Sequence, residues 1–294
     1  EPTIGLHARD NEQLLAALRG QVEILEQRGD VSCPVQGITD DSRAVTAGSL
    51  FVAVKGERVD GHNFVEQAIK AGASAVVAQA SMVSGPLPFV RVADSRKALG
   101  LLGSRFHGDP SARLKMIGVT GTNGKTTTTY LIEHILERNG QKPGLIGTIL
   151  YRYPGVEVSA VETTPGPLKL QKIFSEMTGA GCRTAVMEVS SHAMDQGRAA
   201  GVDFACAAFT NLTQDHLDHH GTMEAYTAAK TRILAFQSKD DVAVLGRDDQ
   251  GAWKLRDQVQ GKLLTFSLND LDEGLNGTYL HEGLLNLRDG NAYL

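Results

Sequence analysis

The chain has 294 residues, 41% hydrophobic and 21% charged, an ordinary globular composition long enough for two domains. Its formal net charge of -5 argues against a nucleic-acid binder that works by broad phosphate neutralisation. No apolar run approaches membrane-spanning length, and the opening EPTIGLHARD lacks the apolar core of a signal peptide. Cys33, Cys182 and Cys206 have neither paired nor metal-type spacing, and Cys182 and Cys206, in or beside apolar strand-like segments, read as small hydrophobes. A reduced, cytoplasmic, soluble protein with no membrane insertion is expected. The chain opens on Glu1 without an initiator Met and is read as trimmed.

The first part reads as a compact α/β unit. NEQLLAALRG has helical spacing, SLFVAVKG reads as a buried strand ending in Gly56, and HNFVEQAIKAGA as a helix with a glycine stop. The strands SAVVAQA and PFVRV follow, and Asp94 is placed to cap a helix from Ser95 to about Phe106. HGDPSARLK combines Gly, Pro and polar residues, which sets the expected domains at 1–112 and 113–294. Beyond it come the strand KMIGVT, a glycine-rich turn, and the helix TTTTYLIEHILERNG. Next are the helix LKLQKIFSEMTGAG, the strands TAVMEV and FACAAFTNL, the helix AYTAAKTRILAF and the strand DVAVLG. This alternation implies a mostly parallel sheet with helices on both faces, and GTYLHEGLLNLRDGNAYL closes it as a β-meander.

GVTGTNGKTTTTY carries the clearest chemistry. A strand runs into Gly118–Gly124 and a helix opens at Lys125–Thr126, so successive backbone N–H groups and a helix N-terminus face one spot. That suits a polyphosphate, with Lys125 reaching the β- and γ-phosphates and the Thr126 hydroxyl holding Mg²⁺. Val119 stands where the usual phosphate loop has glycine, which makes this a variant cradle. The bland alternative is a glycine-bearing turn with an ordinary capping threonine.

Other polar clusters are less decisive. AVMEVSSHAMDQGR ends an apolar strand on Glu188, where ligands sit in open α/β sheets, so Glu188 either binds a metal beside the loop or caps the next helix. TNLTQDHLDHHG offers Asp215, His216, Asp218, His219 and His220 as zinc-type donors. Adjacent histidines point in different directions, so at most two or three converge, and one histidine assisting an Mg–ATP site is the better reading. ETTPGPLKL could be no more than a helix start, with Thr164 as cap and Pro165 in first place. Asp41-Ser42-Arg43 could be a solvated loop.

Together these segments resemble the Mur ligases, the ATP-dependent amide-forming enzymes of peptidoglycan precursor synthesis, and specifically the E-type member. DDSRAVTAGSLFVAVKGERVDGHNF is similar to that member's UDP-binding domain, GVTGTNGKTTT to the family's variant ATP loop, in which Val119 is normal. ETTP, MEVSSHAMDQGR, TNLTQDHLDHHG and YTAAK follow in the same order. The resemblance implies a small UDP-binding α/β domain and a P-loop ATPase domain, with a third, C-terminal ligase domain expected beyond Leu294. It assigns Gly121, Thr122, Asn123, Gly124, Lys125, Thr126 and Thr127 to the ATP phosphates. Thr126 and Glu188 would hold one Mg²⁺, and His216 with Lys230, the latter as a carbamate, a second. Ser42, and more weakly Asp40 and the loop 57–59, would contact UDP. Thr163, Thr164, Ser190, Gln196 and Arg198 would contact the muramoyl peptide. Two departures stand out: TTPGPLKL, where members carry helix-forming residues, and Gly246, where they carry asparagine near the adenine.

The implied reaction joins UDP-N-acetylmuramoyl-dipeptide to an amino acid through an acyl phosphate, in a monomeric enzyme, with Lys125, Glu188, His216 and Lys230 as its catalytic set. The chain is expected to bind the UDP-sugar peptide, and Mg–ATP weakly, without turning over alone. Competing readings are a folylpolyglutamate- or cyanophycin-synthetase relative and a non-catalytic nucleotide-binding partner subunit. A GTPase is disfavoured because no Asn-Lys-x-Asp motif follows the loop.

Overall fold

The computed structural model describes residues 9–56, 59–81, 87–289 and 292–293. It divides into two compact units. One reaches to Pro110 and takes in Gly166–Lys172 and Gly197–Gly201; the other comprises Ser111–Pro165, Ile173–Gln196 and Val202 onward.

The first unit starts with β1 (Arg9–Asp10) and α1 (Asn11–Leu15), then β2 (Ile24–Arg28), β3 (Pro34–Val35) and β4 (Gly37–Thr39). It continues with β5 (Ser49–Ala53), α2 (Val65–Lys70), β6 (Ala73–Ala78), β7 (Phe89–Val92) and α3 (Ser95–Phe106). Its five-stranded sheet runs β2-β7-β6-β5-β4, parallel except for β2 against β7. All five residues of β5 are buried, as a strand covered on both faces requires. Leu50 and Val52 face one apolar cluster with α1 and α3, while Phe51 and Ala53 face another with α2. The Asp94 carboxylate accepts the Lys97 N–H at 2.9 Å, so α3 begins where its cap dictates.

The second unit is built on β8 (Lys115–Thr120), α4 (Lys125–Arg138), β9 (Gly144–Ile146), β10 (Leu150–Tyr153) and β11 (Val156–Ser159). α5 (Pro167–Gly179), whose residues up to Lys172 belong to the first unit, is followed by β12 (Thr184–Glu188), α6 (Ser191–Asp195), β13 (Cys206–Phe209), α7 (Leu217–His220) and α8 (Met223–Ala235). The chain then forms β14 (Val242–Gly246), α9 (Gln250–Trp253), β15 (Lys262–Ser267), β16 (Gly277–His281), β17 (Leu284–Asp289) and β18 (Ala292–Tyr293). The sheet order among described residues is β11-β10-β9-β12-β8-β13-β14-β15-β16-β17-β18. The run from β9 to β16 is parallel, and both ends are antiparallel hairpins.

The parallel core and the closing meander agree with the sequence pattern, but the β9–β11 meander has no counterpart in that reading. It is pinned to α4 by Arg152, whose guanidinium donates to both carboxylate oxygens of the buried Glu133, at 2.9 and 2.6 Å. One expectation fails. Thr164 does not cap the helix that follows ETTP, because α5 starts at Pro167 and the Gly166 carbonyl accepts the first helical N–H, from Leu170. Two prolines within three residues delay the helix, and the Thr164 hydroxyl is engaged elsewhere.

Gly118 sits in the middle of β8, where a Cβ would stand 2.7 Å from both Ile233 Cδ1 and Phe204 Cε1. Gly118→Ala is therefore expected to overpack this contact and cost about 1–3 kcal/mol, read as a lower denaturation midpoint of the chain.

Candidate functional site

Between β8 and α4 the backbone can only be traced by glycine at two points. Gly121 has φ +139°, and a Cβ there would collide with the Thr210 hydroxyl; Gly124 has φ +87° and caps α4 without a side chain. The rest of the turn is held by its neighbours. The Thr122 hydroxyl bonds to the Thr213 carbonyl and the Tyr226 phenol, at 3.0 and 3.1 Å. The Asn123 N–H donates to Asn211 Oδ1 at 3.0 Å, and its carbonyl accepts from the Thr210 hydroxyl at 2.6 Å. A loop held in this way over the N-terminus of a 14-residue helix has the geometry that suits an anion. Thr126 and Thr127 lie in the first turn of that helix.

Glu188 ends β12, paired beside β8, and is 1% exposed. Its Oε2 accepts from the Thr126 hydroxyl at 2.9 Å and the Thr148 hydroxyl at 3.1 Å; its Oε1 accepts the Thr148 N–H at 2.8 Å. The helix-capping reading of Glu188 fails, since Ser190 caps α6 by accepting the Ala193 N–H at 3.1 Å. Thr126 and Glu188 instead present two oxygens 2.9 Å apart. Neighbouring ligands of an octahedral Mg²⁺ with bonds near 2.0–2.1 Å are separated by about the same distance, so this pair fits that ion.

Two lysines converge on one carbonyl. Lys125 Nζ donates to the Gly121 and Thr122 carbonyls at 2.9 and 2.8 Å, and Lys230 Nζ to the Gly121 carbonyl at 2.7 Å. Lys230 lies inside α8, 1% exposed, its ammonium 4.7 Å from the centre of the Tyr226 ring. Burial, and then the charge of Lys125, push its pKa down to about 7. Burial also lowers Lys125, opposed by Glu188 and Asp215. Lys230 is thus a buried helix residue and not a solvated surface lysine.

His216 has φ +52° and its N–H donates to Asp215 Oδ1 at 2.8 Å. Its ring packs edge-on to His192, with centroids 4.9 Å apart, and lies 6.3 Å from Tyr226. His216 and Lys230 thus share Tyr226 as a neighbour. The muramoyl-peptide candidates are more scattered. The Thr164 hydroxyl donates to the Glu188 carbonyl at 2.8 Å and accepts the Ser190 N–H at 3.2 Å, while Thr163 meets Thr148 at 3.1 Å. Gln196 is the C-cap of α6, and Arg198 falls in the 197–201 segment that belongs to the first unit.

The UDP candidates lie in that first unit, around a cavity of about 780 Å³ lined by Asp40, Ser42, Phe51, Val54, Phe64 and Gln67. Ser42 is buried and donates to Gln67 Oε1 at 3.3 Å. Arg43, paired in parallel with Asp41 at 2.9 and 2.7 Å, also lines it. Asp41 is held down to about 2 by that guanidinium. Glu57 and Arg58 lie outside the described residues; Val59 lines the cavity. At Gly246 a Cβ would come 2.9 Å from the tip of the partly exposed Phe266 ring.

Thr148, Thr210, Asn211 and Tyr226 were not legible as site residues. Thr148 sits on a meander the periodicity did not show, and the TNL segment read only as the end of a strand. For Tyr226, only its place four residues before Lys230, one helical turn, was a usable signal.

A glycine-bearing loop at a helix N-terminus, a buried carboxylate at the neighbouring strand end and a buried lysine are the parts of a P-loop-type α/β unit, and the other unit is a smaller α/β sheet of five strands. Family comparison narrows the class. Residues 119–285 match the Mur ligase middle domain and 34–107 the Mur ligase family catalytic domain, and the chain belongs to the Mur ligase family. It is 47% identical over 236 residues to the UDP-N-acetylmuramoyl-L-alanyl-D-glutamate--2,6-diaminopimelate ligase of Geobacillus thermodenitrificans, covering 78% of this chain and 48% of that protein. The Listeria innocua enzyme of the same name is 41% identical over 264 residues, covering 87% and 53%. A solved structure of a ligase of that name superposes with a TM-score of 0.81 at 27% identity, over 98% of this chain and 59% of that one. The chain spans about half the length of the curated relatives it matches.

The Lys230 shift makes stability pH-dependent. Between about 7 and the ordinary lysine value of 10.5 the unfolded chain holds a proton that the folded chain lacks, so this residue makes stability rise with pH across that window. Lys230→Met should gain most on the wild type at low pH. Denaturation midpoints of both proteins at about pH 6.5 and about pH 9.5 should therefore differ more at the lower value.

Proposed function

We propose that the chain forms the UDP-substrate and ATP-binding parts of a cytoplasmic, monomeric ligase of peptidoglycan precursor synthesis. The reaction adds the third amino acid of the stem peptide to UDP-N-acetylmuramoyl-L-alanyl-D-glutamate. The relatives' names point to 2,6-diaminopimelate as that amino acid. The domains would be 1–112 for UDP and 113–294 for ATP. The observation that carries the reading is the Thr126–Glu188 oxygen pair beneath a loop on whose Gly121 carbonyl both Lys125 and Lys230 close.

ATP would lay its phosphates along Gly121–Thr127, with Lys125 exchanging the Gly121 and Thr122 carbonyls for β- and γ-phosphate oxygens. The substrate carboxylate attacks the γ-phosphorus in line, giving an acyl phosphate and ADP. The amine of the incoming amino acid then attacks the acyl carbon, and phosphate leaves. Mg²⁺ at Thr126–Glu188, and a second ion served by His216 and carbamoylated Lys230, would neutralise charge on the transferring group. No side-chain nucleophile is needed.

Lys230 is suited to carbamoylation because an amine with a pKa of about 7 has a substantial neutral fraction near neutral pH, where an ordinary lysine has almost none. Its nitrogen adds to CO₂, a proton leaves to solvent, and the product is a carboxylate-like oxygen donor. The Ser42 cavity is sized for a nucleotide portion of the UDP sugar. Thr163, Thr164, Ser190, Gln196 and Arg198 are assigned to the muramoyl peptide.

Calorimetric titration of the chain with Mg–ATP and, separately, with UDP-N-acetylmuramoyl-dipeptide tests the proposal. Lys125→Ala should weaken ATP by about tenfold or more, the worth of a charge-assisted contact, and leave the UDP ligand unchanged. Saturable binding of neither ligand would sink the reading. Independently, ¹³C-bicarbonate should give one carbamate carbon resonance that disappears in Lys230→Ala; a spectrum unaltered by the substitution would remove the carbamate.

A further inference from the structure

Four histidine rings gather on one side of the second unit, and the proposed ligase chemistry uses one of them. His192 comes from α6, His219 and His220 from α7, and His216 immediately precedes α7. The His192 ring lies on His219 with centroids 4.1 Å apart, and the His219 and His220 rings stand perpendicular at 4.6 Å. Asp195, at the end of α6, completes the group. One donor atom each from Asp195, His219 and His220 lies within 4.8 Å of the other two. The expectation that adjacent histidines point apart does not hold for His219 and His220, whose donor atoms lie within 4.8 Å of each other, and α6 supplies the third donor.

We propose that Asp195, His219 and His220 form a binding site for a divalent transition-metal ion of the zinc type, separate from the nucleotide site. The donor chemistry selects the ion: two imidazoles and one carboxylate suit borderline Zn²⁺, whereas Mg²⁺ prefers an all-oxygen shell. His219 Nε2 is already 3.3 Å from Asp195 Oδ2. Two ligands on one edge of a zinc tetrahedron with bonds near 2.0–2.1 Å are about 3.3–3.4 Å apart, so this edge is in place before any ion arrives. His220 Nε2 is fully buried with no hydrogen-bond partner, a cost that coordination at this residue would offset.

Two neighbours prepare the donors. Arg232 Nη1 lies 3.4 Å from Asp195 Oδ1 and donates to the Met194 carbonyl at 3.0 Å, which fixes the carboxylate and leaves Oδ2 toward His219. Burial, and then the adjacent His219, lower the pKa of His220. Asp195 is exposed, so the ion enters from solvent and a water completes its shell. Occupancy would clamp α6, which follows Glu188, to α7, which follows His216, and so couple metal supply to the geometry of the proposed ligase site.

The test is titration of the purified, chelator-treated chain with Zn²⁺ against a chromophoric chelator, in buffer holding excess Mg²⁺. One Zn²⁺ per chain is expected. Affinity should fall by about tenfold or more in the isosteric Asp195→Asn and in His219→Ala, while Glu188→Gln and Lys230→Met bind as the wild type does. Co²⁺ in place of Zn²⁺ should give ligand-field absorption that His219→Ala abolishes. Far-ultraviolet circular dichroism confirms that each apo variant is folded. No stoichiometric Zn²⁺ binding, or binding lost in Glu188→Gln but kept in Asp195→Asn, overturns the proposal, and either result leaves the ATP and UDP titrations free to stand.

Discussion

The second unit is organised around one buried carboxylate. Glu188 ends β12 almost without solvent, and burying an ionised carboxylate is tolerable only when its oxygens are satisfied. Thr126 from the first turn of α4 and Thr148 from the link between β9 and β10 supply three donors to it. Those bonds fix the helix start and the meander against the same strand end. The Glu188 backbone does the same for the following segment, since its carbonyl holds Thr164, which in turn holds the Ser190 N–H. Phosphate loop, ETTP segment and SSH segment are thus all positioned by one residue.

Charge is balanced in an unusual way above that carboxylate. Two lysines point at a single carbonyl, and bringing two ammonium groups together in a partly desolvated place is unfavourable. Lys230, fully buried in α8, is pushed down to about 7, while Lys125 is less buried and its lowering is opposed by the charges of Glu188 and Asp215. That difference between two neighbouring lysines is one that sequence cannot specify. It depends on α8 directing its residue 230 inward over the Tyr226 ring.

The first unit solves a different problem with ordinary means. A fully buried central strand, β5, separates two apolar clusters, and the loops beyond it shape the cavity around Ser42. The Asp41–Arg43 pair tightens its rim; the guanidinium is exposed, so the pair orients the loop more than it stabilises the fold. The chain also returns to this unit twice, at 166–172 and 197–201.

Local chemistry made much of this protein legible in its sequence. Asp94 announced α3 because a capping carboxylate acts within one turn. The glycines of GVTGTNGKT announced the loop because φ values of +139° and +87° are closed to most side chains. Alternating strand and helix periods gave the parallel core, because burial on both faces imposes them. What only the tertiary structure decided are the relations between distant residues: Thr148 with Glu188, Arg152 with Glu133, Thr210 with Asn123, and Asp195 with two histidines of another helix. Each is a hydrogen bond, ion pair or donor cluster between segments 19 to 87 residues apart, or carried on separate helices, and no short-range period encodes it. The state of Lys230 belongs with them, since its burial and its neighbour Lys125 exist only once α8 has packed against the loop.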